Sequence, residues 1–237
     1  MDPYQKLLNS KRKWTPVQTT AGQLAEGSEE TIFRALALRH MELPVGDFIN
    51  EALKNEVPEL SRELLRSNIE DEENHDLALG YIAQALGTDP VAEAEALRLR
   101  DAWTAHPDHT VLKAMVAERA IFFVLLPFFR FNGDAGLRTV SADISRDERT
   151  HVAANSLICK ELGLTPSKSL DKLRKATINW IMQPLKRSEN KYLDKQFWLD
   201  ASDRLMYEGK APELSDTKRG RMLSFFEHSN VNLPQYG

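Results

Sequence analysis

Only one cysteine, Cys159, occurs in the 237 residues, so no internal disulfide can staple this chain. Long apolar runs are missing too. The richest, AIFFVLLPFF at 120–129, is about half of what a bilayer crossing needs, and it is flanked by Arg119 and Arg130. It reads as a core helix, and no membrane segment is expected. Charge of one sign is scarce: 31 Lys and Arg against 35 Asp and Glu leave a slightly acidic chain without the basic block that tracks nucleic-acid phosphates. No nucleic-acid partner is expected. The opening MDPYQKLLNSKRKW lacks the apolar core of a signal peptide, and with the lone cysteine this sets a cytoplasmic expectation. Glycine and proline, 11 of each, punctuate the chain without saturating any stretch of it.

What is present is helical periodicity. Apolar residues recur at three- and four-residue steps almost throughout, and strand-like alternation is rare, which makes the fold class all-α. The length suits one large domain with its own core. Residues 1–27 read as an extended, partly irregular leader, 28–208 as the helical domain, and 209–237, where periodicity fades, as a flexible tail. Helices are expected at 28–55 with a kink near Pro44 and Gly46, at 58–87, 90–106, 108–132 and 134–163, with one or two more in 167–208.

One stretch conflicts with this pattern. Wound as a helix, SADISRDERTHVAANSLI puts Ile144, Glu148, His151, Asn155 and Ile158 on a single inward stripe. An unpaired buried carboxylate costs several kcal/mol, so something must compensate Glu148. An internal repeat supplies the answer. EDEENHDLALGYIAQALG aligns without a gap on RDERTHVAANSLICKELG, matching Asp71 with Asp147, Glu72 with Glu148 and His75 with His151 at an offset of 76 (148 − 72). The same offset pairs Glu42 with Glu118. The chain thus offers Glu, Glu-x-x-His, Glu, Glu-x-x-His on four long helices.

Glu and His three apart lie one turn above each other, so both reach one ion at the centre of a four-helix bundle. Four carboxylates balance two divalent cations, two of them free to bridge, and each imidazole gives one metal a nitrogen donor suited to iron or manganese. The candidate ligands are Glu42, Glu72 and His75 for one ion and Glu118, Glu148 and His151 for the other, with Glu72 and Glu148 bridging. Pro44 can distort the turn at Glu42, which leaves Asp47 as an alternative there. The remaining histidines, His40, His106, His109 and His228, read as surface or loop residues.

These residues resemble the ferritin-like di-metal carboxylate proteins and, among them, the small, radical-generating subunit of class I ribonucleotide reductase. SRDERTH is similar to that subunit's last ligand helix and ERAIFFVLLPFF to its third; the likeness covers residues 28–165. It implies a ferritin-like four-helix bundle with additional helices and a dinuclear centre of two irons, a manganese and an iron, or two manganese ions. An oxidising equivalent generated there would pass to a large catalytic subunit that docks the C-terminal tail, and the small subunit would be a homodimer. It also implies roles for three further residues. Asp147 would hydrogen-bond His75, Trp14 would complete the electron path, and Tyr236 would relay the radical to the partner. The chain departs from the family at Leu79, four residues after His75, where the radical tyrosine normally sits; Tyr81 is rotated to another face. A stand-alone di-iron oxidase or oxygenase acting on a small apolar substrate remains as the alternative, and iron storage as a third.

Overall fold

A computed structural model describes residues 2–54 and 57–214, and these form no strand. The leader holds a helix that the periodicity did not reveal, α1 (Pro3–Ser10), started by the Asp2 carboxylate accepting from the Tyr4 and Gln5 amides and by proline in the first turn. Residues 11–27 then run without regular structure.

The expected 28–55 helix is divided. α2 (Glu29–Ala37) carries two acidic residues at its positive N-terminal end, and Leu38–Met41 tightens into a 3-10 turn before α3 (Glu42–Lys54). The break therefore falls ahead of Pro44, not at it. Proline in the first turn of α3 forfeits an amide that has no intrahelical partner there, so it begins a helix instead of kinking one. α4 (Arg62–Leu86) ends at Gly87, whose φ of 89° is a left-handed value that a side chain would strain. α5 (Pro90–Ala105) follows within a few residues.

The expected 108–132 helix is continuous in direction but not in winding. α6 (Thr110–Ala117) opens into a π-helical turn over Glu118–Phe122, where the Phe123 amide donates to the Glu118 carbonyl, and then continues as α7 (Phe123–Asn132). α8 (Ala135–Glu161) matches the 134–163 expectation, and α9 (Lys168–Met182) and α10 (Lys195–Glu208) complete the fold.

α3, α4, the α6–α7 unit and α8 pack on one another as the central bundle, while α5, α9 and α10 cover it from outside. AIFFVLLPFF lies in the interior, with Phe122, Phe128 and Phe129 at most 4% exposed. Among the described residues no helix is long and apolar enough to cross a membrane. The leader lies over the start of α8: the Gly22 amide donates to Asp134 (2.8 Å) and the Ala25 amide to the Asn132 carbonyl (2.9 Å). Gly136 permits this close approach, because a Cβ there would stand 2.9 Å from the Thr19 hydroxyl.

Trp103 locks the outer layer. It is fully buried, and its indole N–H donates to Thr177 on α9 (3.1 Å). Trp103→Ala is expected to lower the unfolding free energy by about 3–5 kcal/mol through cavity formation, measured by urea titration; a loss under about 1 kcal/mol would show that α5 is not anchored there.

Candidate metal centre

The six ligand-type side chains reach the centre from four helical elements. Glu42 is the first residue of α3, Glu72 and His75 lie one turn apart in the middle of α4, Glu118 opens the π-helical turn, and Glu148 and His151 repeat the one-turn spacing on α8. All six are buried, none more than 1% exposed. Two sets of donor atoms converge to within 4.8 Å of one another: Glu42, Glu72, His75 and Glu148 in one, Glu72, Glu118 and His151 in the other. Asp47 is exposed at the surface, so geometry selects Glu42 between those two acids.

The grouping differs from the sequence expectation in one respect. Glu148 Oε1 lies 3.5 Å from His75 Nδ1 and 3.9 Å from His151 Nδ1, so it leans toward the opposite histidine. Glu72 does the converse, with one oxygen 3.0 Å from His151 Nδ1 and the other 3.5 Å from His75 Nδ1. Glu72 thus belongs to both sets, whereas Glu148, expected beside His151, joins the His75 set. The imidazole rings face each other with centroids 5.7 Å apart.

The outer nitrogens are fixed by aspartates. His75 Nε2 is 3.3 Å from Asp147, and His151 Nε2 is 2.9 Å from Asp71. A carboxylate on Nε2 holds the proton there and leaves Nδ1 turned to the centre as a lone-pair donor. Asp147 also accepts the Trp14 indole N–H at 2.6 Å, and the Trp14 ring stacks on His75 with centroids 6.2 Å apart. Asp71 is the member that sequence reasoning overlooked as a site residue. The repeat had aligned it with Asp147, and the same role on the other histidine could have been read from that alignment.

Whether metal ions suit this cluster is answered by its unused atoms. Both oxygens of Glu42, Glu72 and Glu148, Oε1 of Glu118, and Nδ1 of both histidines are buried without a hydrogen-bond partner. Such a concentration of bare acceptors is costly in a dry interior unless cations lie among them. Glu118 Oε2 is the exception, since it accepts the Asn155 amide at 2.8 Å. The residues fit two ions: four carboxylates balance two divalent charges, and one imidazole serves each half. A donor set this rich in oxygen is a poor match for structural zinc. The cluster is a metal-binding site in form.

Without metal, protons must stand in. Burial pushes Glu42, Glu118 and Glu148 above the ordinary carboxylate value, with neighbouring carboxylates adding to it. On both imidazoles burial acts downward but is outweighed by the acids around them, Asp147 and Glu148 first for His75, Asp71 and Glu72 first for His151, so both shift well upward. Glu72 goes the other way: burial raises it, yet His151 and His75 together hold it below its ordinary value.

No protein-family model, curated protein or solved structure matches the chain. The metal-site reading therefore rests on the residues and their geometry. Of the residues that the family likeness singled out, Trp14, Asp147 and the six ligands come together. Tyr236 and most of the 209–237 tail lie outside the described residues. Leu79 is buried, and Tyr81 is partly buried.

The upward-shifted groups contribute stability that is complete below their unfolded values and lost as pH rises through the folded ones; Glu72 contributes above 4.5 and loses that on acidification. Metal-free protein is therefore expected to lose melting temperature as pH rises from about 6 to about 9. Saturating Mn2+ should cancel the loss by replacing protons. Thermal melts with and without Mn2+ read this, and metal-free stability that climbs with pH would contradict it. Glu148→Ala should abolish loading of the pair, measured as bound metal per chain; full loading would remove Glu148 from the ligand set.

Proposed function

We propose that this chain is the small, radical-generating subunit of a class I ribonucleotide reductase. The observation that carries the reading is the unbroken line from the cluster to the leader: His75, hydrogen-bonded to Asp147, hydrogen-bonded to Trp14, whose ring also stacks on His75. A storage bundle has no use for an oxidisable indole wired to one ligand. Trp14 lies 61 positions from His75 and 133 from Asp147 in the chain, so no local constraint forces the three together.

Glu42, Glu72, Glu118, Glu148, His75 and His151 would hold two ions of iron, of manganese, or one of each. When bound, such a pair supplies a one-electron oxidising equivalent after reaction with an oxidant. The chain's own residues do the rest. Burial of the ligands keeps water from the centre, Asp147 and Asp71 hold protons on the outer nitrogens, and Trp14 offers an electron from the leader side. Leu79 stands where a radical phenol would, so this reading assigns storage to the metal pair, and Tyr236 to the relay toward a large catalytic subunit that docks the tail. A homodimer in the cytoplasm is the assembly this reading carries.

A stand-alone oxygenase would need an apolar chamber against the metals. Neither of two clefts meets that need. One of about 640 Å3 is lined by His40, Asp47, Asp76, Arg100 and Lys113 among others, and one of about 510 Å3 by Lys11, Trp14, Glu70, Asp71 and neighbours. Charged side chains line part of each, and none of the six ligands contributes to either.

Two variants test the proposal in the presence of a purified large subunit. Trp14→Phe should retain two metals per chain yet lose at least about a hundredfold in partner-dependent nucleotide reduction. Deleting residues 225–237 should likewise leave metal loading intact and remove that turnover. Reduction that persists in either variant counts against the reductase reading, whereas metal lost from the Trp14 variant would make the indole a structural support.

A further inference from the structure

The two halves of the cluster are built alike but supported differently. The His75 half draws on four convergent donors and the His151 half on three. Glu118, the acid that belongs to the His151 half alone, has one oxygen occupied by Asn155 and so retains a single free one. A further contrast lies one layer out. Asp147, behind His75, is met by the neutral indole N–H of Trp14. Asp71, behind His151, is met by the ammonium of Lys11 in an ion pair.

Lys11 is held in that position. Its side chain is 8% exposed, and its ammonium also donates to Asn68 on α4 at 3.0 Å. A carboxylate that accepts the outer N–H of an imidazole increases the basicity of the inner nitrogen, and such partners shift metal affinity by about 10–100-fold. A cation against the same carboxylate opposes that effect, and in a largely desolvated setting it is weakly screened. The leader therefore strengthens neither half equally: Trp14 leaves Asp147 its full charge, while Lys11 neutralises Asp71.

We propose that Lys11 is a positioning residue that weakens the His151 half, so that the chain takes up two divalent ions in unequal steps, the His75 half filling first. The proposal rests on the metal-binding reading and adds to it an order of loading. Unequal positions allow two different first-row metals to enter one after the other, the tighter binder at His75, where a symmetric site would draw the same ion twice.

The test uses the full-length, metal-stripped protein and Mn2+ alone, followed by titration calorimetry and by the electron paramagnetic resonance signal of bound manganese. Wild type should bind two ions in steps separated by at least about tenfold. Lys11→Gln, which retains a donor but not the charge, should tighten the weaker step by about tenfold and leave the stronger one in place. Lys11→Arg should restore wild-type behaviour, and His151→Ala should delete the step that Lys11→Gln tightens. Melting of each metal-free variant checks folding, and Lys11→Met is a second uncharged form should the glutamine variant not fold. Equal steps in wild type, or a Lys11→Gln titration in which neither step or both steps shift, would overturn the proposal while leaving metal binding intact. No uptake of Mn2+ by wild type would remove the metal-binding reading itself.

Discussion

Four carboxylates and two imidazoles meet in a space that water does not reach, none of them more than 1% exposed, and the rest of the molecule is arranged around that fact. Like charges in a dry interior repel strongly, so each acid must hold a proton, face an imidazole or ligate a cation. The directions of the shifts show the strain of the metal-free form: three carboxyls drawn toward the protonated state and both imidazoles toward the charged one. Two divalent ions would relieve every one of these at once. The bundle geometry follows, since only side chains from four different helices can surround a point without crowding one backbone.

The leader is the second organising element, and its importance comes from which groups it touches. Lys11 pairs with Asp71, Arg12 with Asp143 and Trp14 with Asp147, so a short irregular stretch meets three acids on α4 and α8. Two of those acids hold the histidines of the cluster. A segment distant in sequence thereby acts on the electronic character of the site without touching its centre. Its path depends on small clearances, such as the missing Cβ at Gly136, and on amide bonds to Asp134 and Asn132.

Most of the helices were legible because their signals are local. Gly87 closes α4, Pro90 opens α5 behind the Asp89 cap, and Asp134 caps α8, each where the pattern of residues had set a boundary. The misses have physical causes too. The helix at Pro3–Ser10 has a clear Asp2 and Pro3 start, but it is short and lies in a stretch with little periodicity. The break at Leu38–Met41 and the π-helical turn at Glu118–Phe122 carry no local residue signature; each is a local change of winding within a longer helical run. Pro44 misled because its effect depends on whether it lies in a first turn or in a helix interior.

Ligand types, their one-turn spacing and the 76-residue offset that pairs the halves were properties of the sequence by itself, because helical periodicity converts spacing directly into a shared face. Tertiary structure decided the rest: that Glu42 and not Asp47 reaches the cluster, that Glu72 and Glu148 each lean toward the opposite histidine, and that Trp14 supports one aspartate while Lys11 neutralises the other. Those choices depend on distances between helices and between chain segments more than a hundred positions apart in places. A periodic pattern reports which face a residue lies on. It has no information about which group stands across from it.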